Sequence, residues 1–557
     1  MTVDETEQDR KRDSGRLAPI MLLALLRTVC ATSLLLWFAG TSNSAFIRAA
    51  SQTNAKSGNG TSAVGDNQNQ CRDCHAVEVD GFARSKMSRS MRPGAQEPIG
   101  IVQLPDTTIR IYSDKDGSWQ TLESHGGTDT YHVDYVIGSG THASGYIIGL
   151  ADHLFQSPVA YYPRRAAYAL APGYEGTPDP DFTRPVGVGC VFCHAGSFDV
   201  ISGTENEYEK TPFPHLSIGC DRCHGPTAAH LKSPSSANIV NPAHLEVAAR
   251  DSICEQCHLK GAARVLNPGK QFSDFIPGQR LEDTFTIYHD KPPDGTEPAF
   301  KVISHSEQLA LSKCKRSSGQ RMWCGTCHNP HDEPTNIVSY YRLRCLTCHA
   351  KTSFASNHPS KSSNCIGCHM PKKEATDGGH TVFTDHRIQA RPEYVSTVAA
   401  TIIAPWRQPP DDLATRNLGI ASIQVGMEQR SGSQILNGYR MLTEIQEKFP
   451  QDSEIYTWMG SALFVGHQYG EAVKAFDLAV RLDPKSSPKE ASLGQAYAVL
   501  GQVQLAEQHF EKAMKLDPLN LAAAAILINL YDKNGQTVEA DALSQRIASL
   551  VHAKAGR

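Results

Sequence analysis

Residues Ser217–Leu231 read SIGCDRCHGPTAAHL, and they place Cys220 and Cys223 three positions apart with His224 directly after the second cysteine. Another histidine, His230, follows six residues later. Three kinds of chemistry use this spacing: covalent attachment of a c-type haem, half of a structural zinc site, or a redox-active disulfide. A single copy does not distinguish them, so the number of copies decides.

The C-x-x-C-H pattern occurs seven times. With 16 Cys and 23 His in 557 residues, chance gives about 0.02 copies. A zinc ribbon does not need a histidine after each cysteine pair, and seven redox disulfides would be an unusual scaffold. The pattern therefore predicts seven haem c groups held covalently by Cys71, Cys74, Cys190, Cys193, Cys220, Cys223, Cys254, Cys257, Cys324, Cys327, Cys345, Cys348, Cys365 and Cys368.

The histidine that ends each motif is expected to be the proximal ligand of the haem iron. These ligands are His75, His194, His224, His258, His328, His349 and His369. Outside the motifs only Cys30 and Cys314 remain. We expect Cys314 to be a buried inert thiol, with a haem ligand or an intermolecular thiol as the alternatives.

The N-terminus combines basic residues with one apolar run, Val29–Gly40, followed by small residues. Residues 1–45 therefore predict a signal peptide, or alternatively a retained anchor that tethers the protein to a membrane. Both place the remainder in the periplasm or elsewhere outside the cytoplasm, where c-type haem is attached. Residues 46–70 are rich in Ser, Asn and Gly and predict a flexible linker. The net charge of −4 shows no basic face for nucleic acid.

Residues 71–392 contain all seven motifs and are expected to form the cytochrome domain. Seven large apolar rings on so short a chain predict a haem-dominated, largely irregular and α-helical domain with short helices at the motifs. Thr107–Leu122 alternates around an Asp-Lys-Asp-Gly turn, and His132–Gly140 reads as another strand, so a small β insertion is expected as well.

The composition changes after the cytochrome domain. Residues 393–415 contain a proline cluster, which predicts a Pro-rich linker. Residues 416–557 lack cysteine and show a 34-residue period, marked by Gly426, Gly460 and Gly494 and by Pro450, Pro484 and Pro518. The period resembles the tetratricopeptide repeat and implies an all-α solenoid; a generic helical bundle is the alternative. Its central units are Ser453–Pro484 and Ser487–Pro518, between degenerate outer units near Gly419–Pro450 and Leu521–Ala548.

Segments around three motifs, Gly219–His230, Trp323–His331 and Cys365–Pro371, resemble the multihaem cytochromes c of the group that includes hydroxylamine oxidoreductase and cytochrome c nitrite reductase. In that group a histidine soon after one motif ligates a neighbouring haem. Thirteen histidines between Cys71 and Arg391 lie outside the motifs. The resemblance implies that six of these histidines and one methionine are distal ligands of the haem irons: Met87, His142, His230, His305, His331, His380 and His386. Met91 and His215 are the substitutes if one of these is not a ligand.

Two functions are compatible with these motifs. The first is electron transfer along stacked haems, with the repeats docking a redox partner protein. In a variant of this function the repeat domain has the main role, and the cytochrome domain carries electrons for it. The second is reduction or oxidation of a small nitrogen or sulfur species at one haem with an open coordination position. Nitrite reductase carries a C-x-x-C-K motif, which this sequence lacks, and no tyrosine matches the crosslinking residue of hydroxylamine oxidoreductase. Both departures favour electron transfer and leave catalytic residues unknown.

Overall fold

A computed structural model gives the fold and describes residues 66–124, 127–177, 179–293, 296–350, 358, 362–390 and 402–552. The predicted signal or anchor, most of the predicted flexible linker and residues 391–401 lie outside these ranges. The first element, helix α1 (Asp66–Ala83), begins inside the stretch expected to be linker and kinks at His75, where φ is −120 and ψ is 44.

Two antiparallel sheets follow α1 and hold nine strands, so the β part is larger than the small insertion that the sequence predicts. A four-stranded sheet has the order β2-β3-β4-β5 and a five-stranded sheet the order β1-β6-β7-β8-β9. The strands are β1 (Met91–Pro93), β2 (Gly100–Gln103), β3 (Thr107–Asp114), β4 (Gly117–Ser124), β5 (Gly127–His132), β6 (Tyr135–Ile137), β7 (Ser144–Leu150), β8 (His153–Tyr162) and β9 (Ala167–Leu170).

The hairpin predicted at Thr107–Leu122 is confirmed, since β3 pairs with β4 from Thr107 opposite Ser124 to Asp114 opposite Gly117. Gly117 has a φ of 136, which only glycine adopts without strain, and it therefore closes the turn. Alternate residues of β3, among them Ile109 and Ile111, are buried. This period of two explains why the hairpin is visible in the sequence.

The remaining motifs lie on short helices joined by irregular chain and short strands. The helices are α2 (Val188–His194), α3 (Asp221–His224), α4 (Ala228–Lys232), α5 (Val247–His258), α6 (His305–Leu311), α7 (Lys313–Ser318), α8 (Cys324–Cys327), α9 (Ile337–His349) and α10 (Cys365–His369). The strands are β10 (Ala263–Leu266), β11 (Phe285–Asp290), β12 (Lys372–Glu374), β13 (Val382–Thr384) and β14 (Ile403–Pro405). Most helices end at a motif histidine or just before it, which supports the expected local architecture.

Short 3-10 turns complete this part of the chain and the entry to the repeats. They are Met87–Arg89, Ser236–Asn238, Pro242–His244, Phe272–Asp274, Leu281–Asp283, Gly319–Arg321, Asp411–Leu413 and Gln446–Lys448.

The C-terminal part consists of tetratricopeptide-like helix pairs. Its helices are α11 (Ala414–Glu428), α12 (Gly432–Ile445), α13 (Ser453–Val465), α14 (Tyr469–Leu482), α15 (Ser487–Val499), α16 (Val503–Leu516), α17 (Leu521–Lys533) and α18 (Thr537–His552). A Cβ atom on Gly460 would lie 2.7 Å from the ring of Phe476, and one on Gly494 would lie 3.2 Å from Phe510. Small residues at these repeat positions let the paired helices cross closely.

The repeats pack against the rest of the chain. Strand β14 pairs with β11, so part of the predicted Pro-rich linker belongs to a sheet of the motif-bearing part. Arg416 at the start of α11 is buried and donates hydrogen bonds to the Leu266 carbonyl at 2.5 Å and to Asp452 at 2.8 Å. Residues of the four-stranded sheet and of α15 to α18 share one apolar cluster. Hence the core is continuous between the sheets and the repeats.

Candidate haem-binding centre

The motif cysteines come together in an order that the sequence does not display. Thiols of different motifs lie close enough to shift each other's pKa: Cys71 and Cys220, Cys193 and Cys257, Cys254 and Cys324, and Cys345 and Cys365. No disulfide links the cysteines of the described ranges, so these are contacts between free thiols.

Two further proximities complete a row of motifs. Cys223 acts electrostatically on Cys254, and Cys348 acts on Cys327. With each motif named by its first cysteine, neighbours run in the order Cys71, Cys220, Cys254, Cys324, Cys345 and Cys365, while the Cys190 motif lies beside the Cys254 motif. All seven motifs therefore form one contiguous cluster.

Motif histidines lie opposite other histidines. Two imidazoles on opposite sides of one metal have ring centres about 6 Å apart, because each metal–nitrogen bond is about 2 Å long. Ring centres are 6.4 Å apart for His75 and His230, 5.9 Å for His224 and His331, 5.2 Å for His258 and His305, 6.2 Å for His328 and His386, and 5.9 Å for His369 and His358. Four of the predicted distal histidines thus lie opposite a motif histidine.

Backbone carbonyls hold several of these imidazoles in one orientation. The Nδ1 atom of His224 lies 2.7 Å from the Val240 carbonyl oxygen, and that of His369 lies 2.8 Å from the Gln389 carbonyl. A carbonyl only accepts hydrogen bonds, so each Nδ1 carries the proton and each Nε2 is left as the metal-binding atom.

Among the distal candidates, His386 shows the same arrangement, since its Nδ1 donates to the Thr384 carbonyl at 2.9 Å and this fixes the tautomer that a metal ligand requires. His230 Nδ1 lies 3.0 Å from the Ser235 carbonyl oxygen and also 3.4 Å from the Ser235 nitrogen, whose N–H donates to it.

The electrostatics of the cluster also keep imidazoles neutral. Burial, reinforced by His258 and His386, lowers the pKa of His305 well below its usual value, and its buried Nδ1 has no hydrogen-bond partner in the described chain. The surrounding protein, together with His386 and His258, lowers the pKa of His328 to about 4. Neutral imidazole is the form that binds metal, so these shifts favour ligation near neutral pH.

The other distal candidates are not placed opposite a motif histidine. His142 lies against Phe383 with ring centres 4.5 Å apart, and His380 meets Tyr162 edge-on at 5.2 Å. Met87 lies half-buried in a 3-10 turn. Of the two substitutes, Met91 is 2 % exposed and belongs to an apolar cluster, and the His215 carbonyl accepts a hydrogen bond from Gly196.

Sequence reasoning did not select His358, which lies opposite His369. It lies nine residues after His349 and seven before Cys365, and nothing in the sequence around it distinguishes it from the histidines that were predicted. In the described part of the chain no imidazole pairs with the ring of His194. The remaining cysteine, Cys314, is half-buried near Cys348 and not buried as predicted, and its partial burial raises the pKa of its thiol.

Curated relatives match part of the chain. It is 25% identical over 244 residues to multiheme cytochrome MtrA of Shewanella baltica, a match that covers 41% of this chain and 68% of MtrA. It is 21% identical over 269 residues to dissimilatory sulfite reductase MccA of Wolinella succinogenes, which covers 41% of this chain and 30% of MccA. The chain is therefore distantly related to multihaem cytochromes, and c-type haem is the cofactor that this relationship implies.

The repeat part has its own matches. Residues 491–518 match the tetratricopeptide repeat family model. The solved structure of MamA residues 41 to the end from Desulfovibrio magneticus RS-1 is 17% identical, covers 25% of this chain and 85% of that one, and has a TM-score of 0.22. That score is too low to bear on the fold, so the repeat assignment rests on the family model and the helix pairs.

The residues present fit c-type haem. Each motif offers two free thiols next to one imidazole, and opposing histidines supply second axial nitrogens at a suitable spacing. Helices α9 and α10, which carry the last two motifs, have no buried residue, so their own side chains do not enclose them. A large apolar ring bound to their cysteines would cover them.

Proposed function

We propose that the protein is an exported cytochrome with seven covalently attached haem c groups that transfers electrons along a row of haems. The observation that carries the proposal is the contact between thiols of different motifs, because it supports a continuous series of neighbouring sites. Cys71 and Cys220 are far apart in the sequence, yet their thiols meet. Haem iron, when bound, supplies the one-electron oxidation and reduction.

The chain's own residues have two tasks in this function. The motif cysteines would hold each group covalently and the motif histidines would bind its iron, with Cys71, Cys74 and His75 as the first set. The opposing histidines His230, His305, His331, His358 and His386 would complete six-coordinate, low-spin iron, whose small structural change on reduction suits electron transfer. His142, His380 and Met87 stay predictions for the remaining positions.

The test is rapid reduction of the oxidised holoprotein by a reduced electron-transfer protein too large to enter clefts. A continuous row predicts that the visible absorbance of all haems changes in kinetically linked phases and goes to completion. A stable oxidised fraction equal to one or more haems per chain, which a small reductant then removes, would contradict the row. The same protein boiled and refolded serves as the control for non-specific reduction.

We also propose a division of labour, with residues 71–392 as the cytochrome domain and residues 416–557 as a repeat domain that serves a redox partner protein. The first helices of the central repeats, α13 and α15, are buried along most of their length. The outward sides of the second helices, where Leu436, Leu505 and Val538 are exposed, are therefore the surface that we assign to the partner.

Export remains part of the proposal and rests on the predicted signal or anchor at residues 1–45. Within the described ranges, no helix combines the length and apolarity needed to cross a bilayer. A fusion of residues 1–45 to a reporter that works only outside the cytoplasm tests the prediction, and replacing the apolar run Val29–Gly40 should abolish the signal.

A second candidate function is reduction or oxidation of a small nitrogen or sulfur species. Two observations favour it: the Wolinella relative is a dissimilatory sulfite reductase, and among the described residues no imidazole faces His194. It predicts one high-spin ferric haem and carbon monoxide binding by the reduced protein, both removed by changes at the Cys190 motif. Electron transfer alone predicts only low-spin signals.

A further inference from the structure

Three ionisable side chains meet where the five-stranded sheet contacts the repeats. His153 begins β8, Glu207 lies directly opposite it in an isolated antiparallel bridge, and Asp517 follows α16. The Nε2 atom of His153 is 2.8 Å from Asp517 Oδ1 and 4.0 Å from Glu207 Oε2. One donor atom from each of the three residues lies within 4.8 Å of the other two.

This cluster is poorly satisfied by hydrogen bonds. The side chains of His153 and Asp517 are 4% and 1% exposed. Asp517 Oδ2 and His153 Nδ1 are buried and have no hydrogen-bond partner in the described chain. An unpartnered buried carboxylate oxygen costs free energy that a bound cation would offset.

The surrounding charge is negative. Three further carboxylates lie close to the cluster: Glu205 interacts with Asp517, and Asp152 and Glu209 interact with Glu207. No lysine or arginine of the described ranges forms an ion pair with Glu205, Glu207 or Asp517, and His153 is the one basic group in contact.

We propose that His153, Glu207 and Asp517 bind one divalent transition-metal ion, with Zn²⁺ as the representative, which joins the sheet to the repeats. One imidazole nitrogen with carboxylate oxygens is a donor set for such ions, whereas Ca²⁺ and Mg²⁺ prefer oxygen alone. Ligands on one zinc ion lie about 3–4 Å apart, so only small shifts of the side chains are needed. None of the three residues belongs to a motif.

The test uses the full-length holoprotein, stripped with a chelator, desalted and titrated calorimetrically with Zn²⁺ while metal content is measured beside iron. We expect one tight site per chain. Asp517→Asn, His153→Gln and Glu207→Gln should each lower the affinity by about 100-fold or more, since even indirect partners of a metal ligand are worth about 10–100-fold. The motif haem content should stay unchanged.

His509→Gln is the matched control. His509 forms the same kind of pair, with Nδ1 2.7 Å from Glu490, but Lys512 also pairs with Glu490, and no third metal-binding side chain of the described ranges joins them. This variant should titrate like the parent protein. Glu207 is 23% exposed, so Glu207→Gln keeps the test valid if the more buried variants fail to fold. Unchanged zinc affinity in Glu207→Gln, or no binding by the parent, overturns the proposal and leaves a hydrogen-bonded pair.

Discussion

Two helices of equal length differ in what encloses them. Helix α9, Ile337–His349, has 13 residues and none is buried. Helix α13, Ser453–Val465, also has 13 residues and buries most of them, including Trp458 and Phe464. The repeats therefore have a core of packed side chains. The end of the motif region has no such core in α9, and its thiols and imidazoles are accessible to a ligand. Folding of the repeats therefore depends on side-chain packing, whereas folding at the end of the motif region depends on what its thiols and imidazoles bind.

The boundary between the regions is less sharp than their composition implies. Arg407, in the stretch expected to be a linker, pairs with Glu255 at 2.5 Å and with Glu282 at 2.9 Å. Asn417 in α11 donates to Asn267 and Thr286, each at 3.0 Å. Because these contacts are buried or partly buried, the repeats support the motif region directly.

The largest effect is expected from removing the repeats. A chain that ends at Pro410 loses Arg416 and the apolar residues that α15 to α18 contribute to the cluster shared with the two sheets. We expect loss of soluble, fully loaded protein, because the exposed apolar surface would destabilise the sheet. Yield and haem per chain are the measurements. A soluble truncated chain with full haem content would mean that the regions fold separately, as composition alone suggests.

The second largest effect is expected from removing one buried charge in the repeats. Lys489 is 1% exposed and pairs with Glu454 and Asp483, each at 2.9 Å. Lys489→Met leaves both carboxylates without their cation and should lower the free energy of unfolding by about 3–5 kcal/mol. Chemical denaturation of the holoprotein measures it.

The matched control lies on the preceding helix. Lys474 pairs with Glu471 but is 73% exposed, so Lys474→Met should change the free energy of unfolding by about 0.5 kcal/mol or less. Equal losses in the two variants would show that the buried pair does not hold the repeat core together.

Alkaline pH probes the same contact. Although burial opposes its charge, Glu454 and Asp483 outweigh that effect and raise the pKa of Lys489. A raised pKa in the folded state gives stability that is present below the unfolded value of 10.5 and is lost as the pH rises through the folded value. Stability measured from pH 8 upward should therefore fall more steeply above about 10.5 in the parent than in Lys489→Met. Parallel curves would exclude this linkage.

The smallest structural effect is expected in the motif region. His331→Ala and His386→Ala should leave folding nearly unchanged but convert one low-spin ferric haem per chain to high-spin in electron paramagnetic resonance. His132→Ala is the control, because His132 contacts Trp119 and Asp134 and no motif histidine. If neither variant alters the spin state, these residues are not axial ligands.

Local patterns explain what the sequence predicts well. The haem motif, the 34-residue period and the two-residue alternation are each visible in a short stretch of sequence. The repeats and the Thr107–Leu122 hairpin could therefore be predicted. The pairing of β14 with β11, the order of neighbouring motifs and the contact of His153 with Asp517 depend on residues far apart in the chain. His358 could not be predicted as a candidate ligand because only the folded chain brings it opposite His369.

The central claim is that every motif holds one haem. Intact mass of the purified mature protein, combined with pyridine haemochrome absorbance and protein concentration, measures it directly. We expect seven covalently bound haems per chain, and Cys220→Ser together with Cys223→Ser should leave six. A mass that fits zinc or free thiols at the motifs, or a count unaffected by that double substitution, would contradict it.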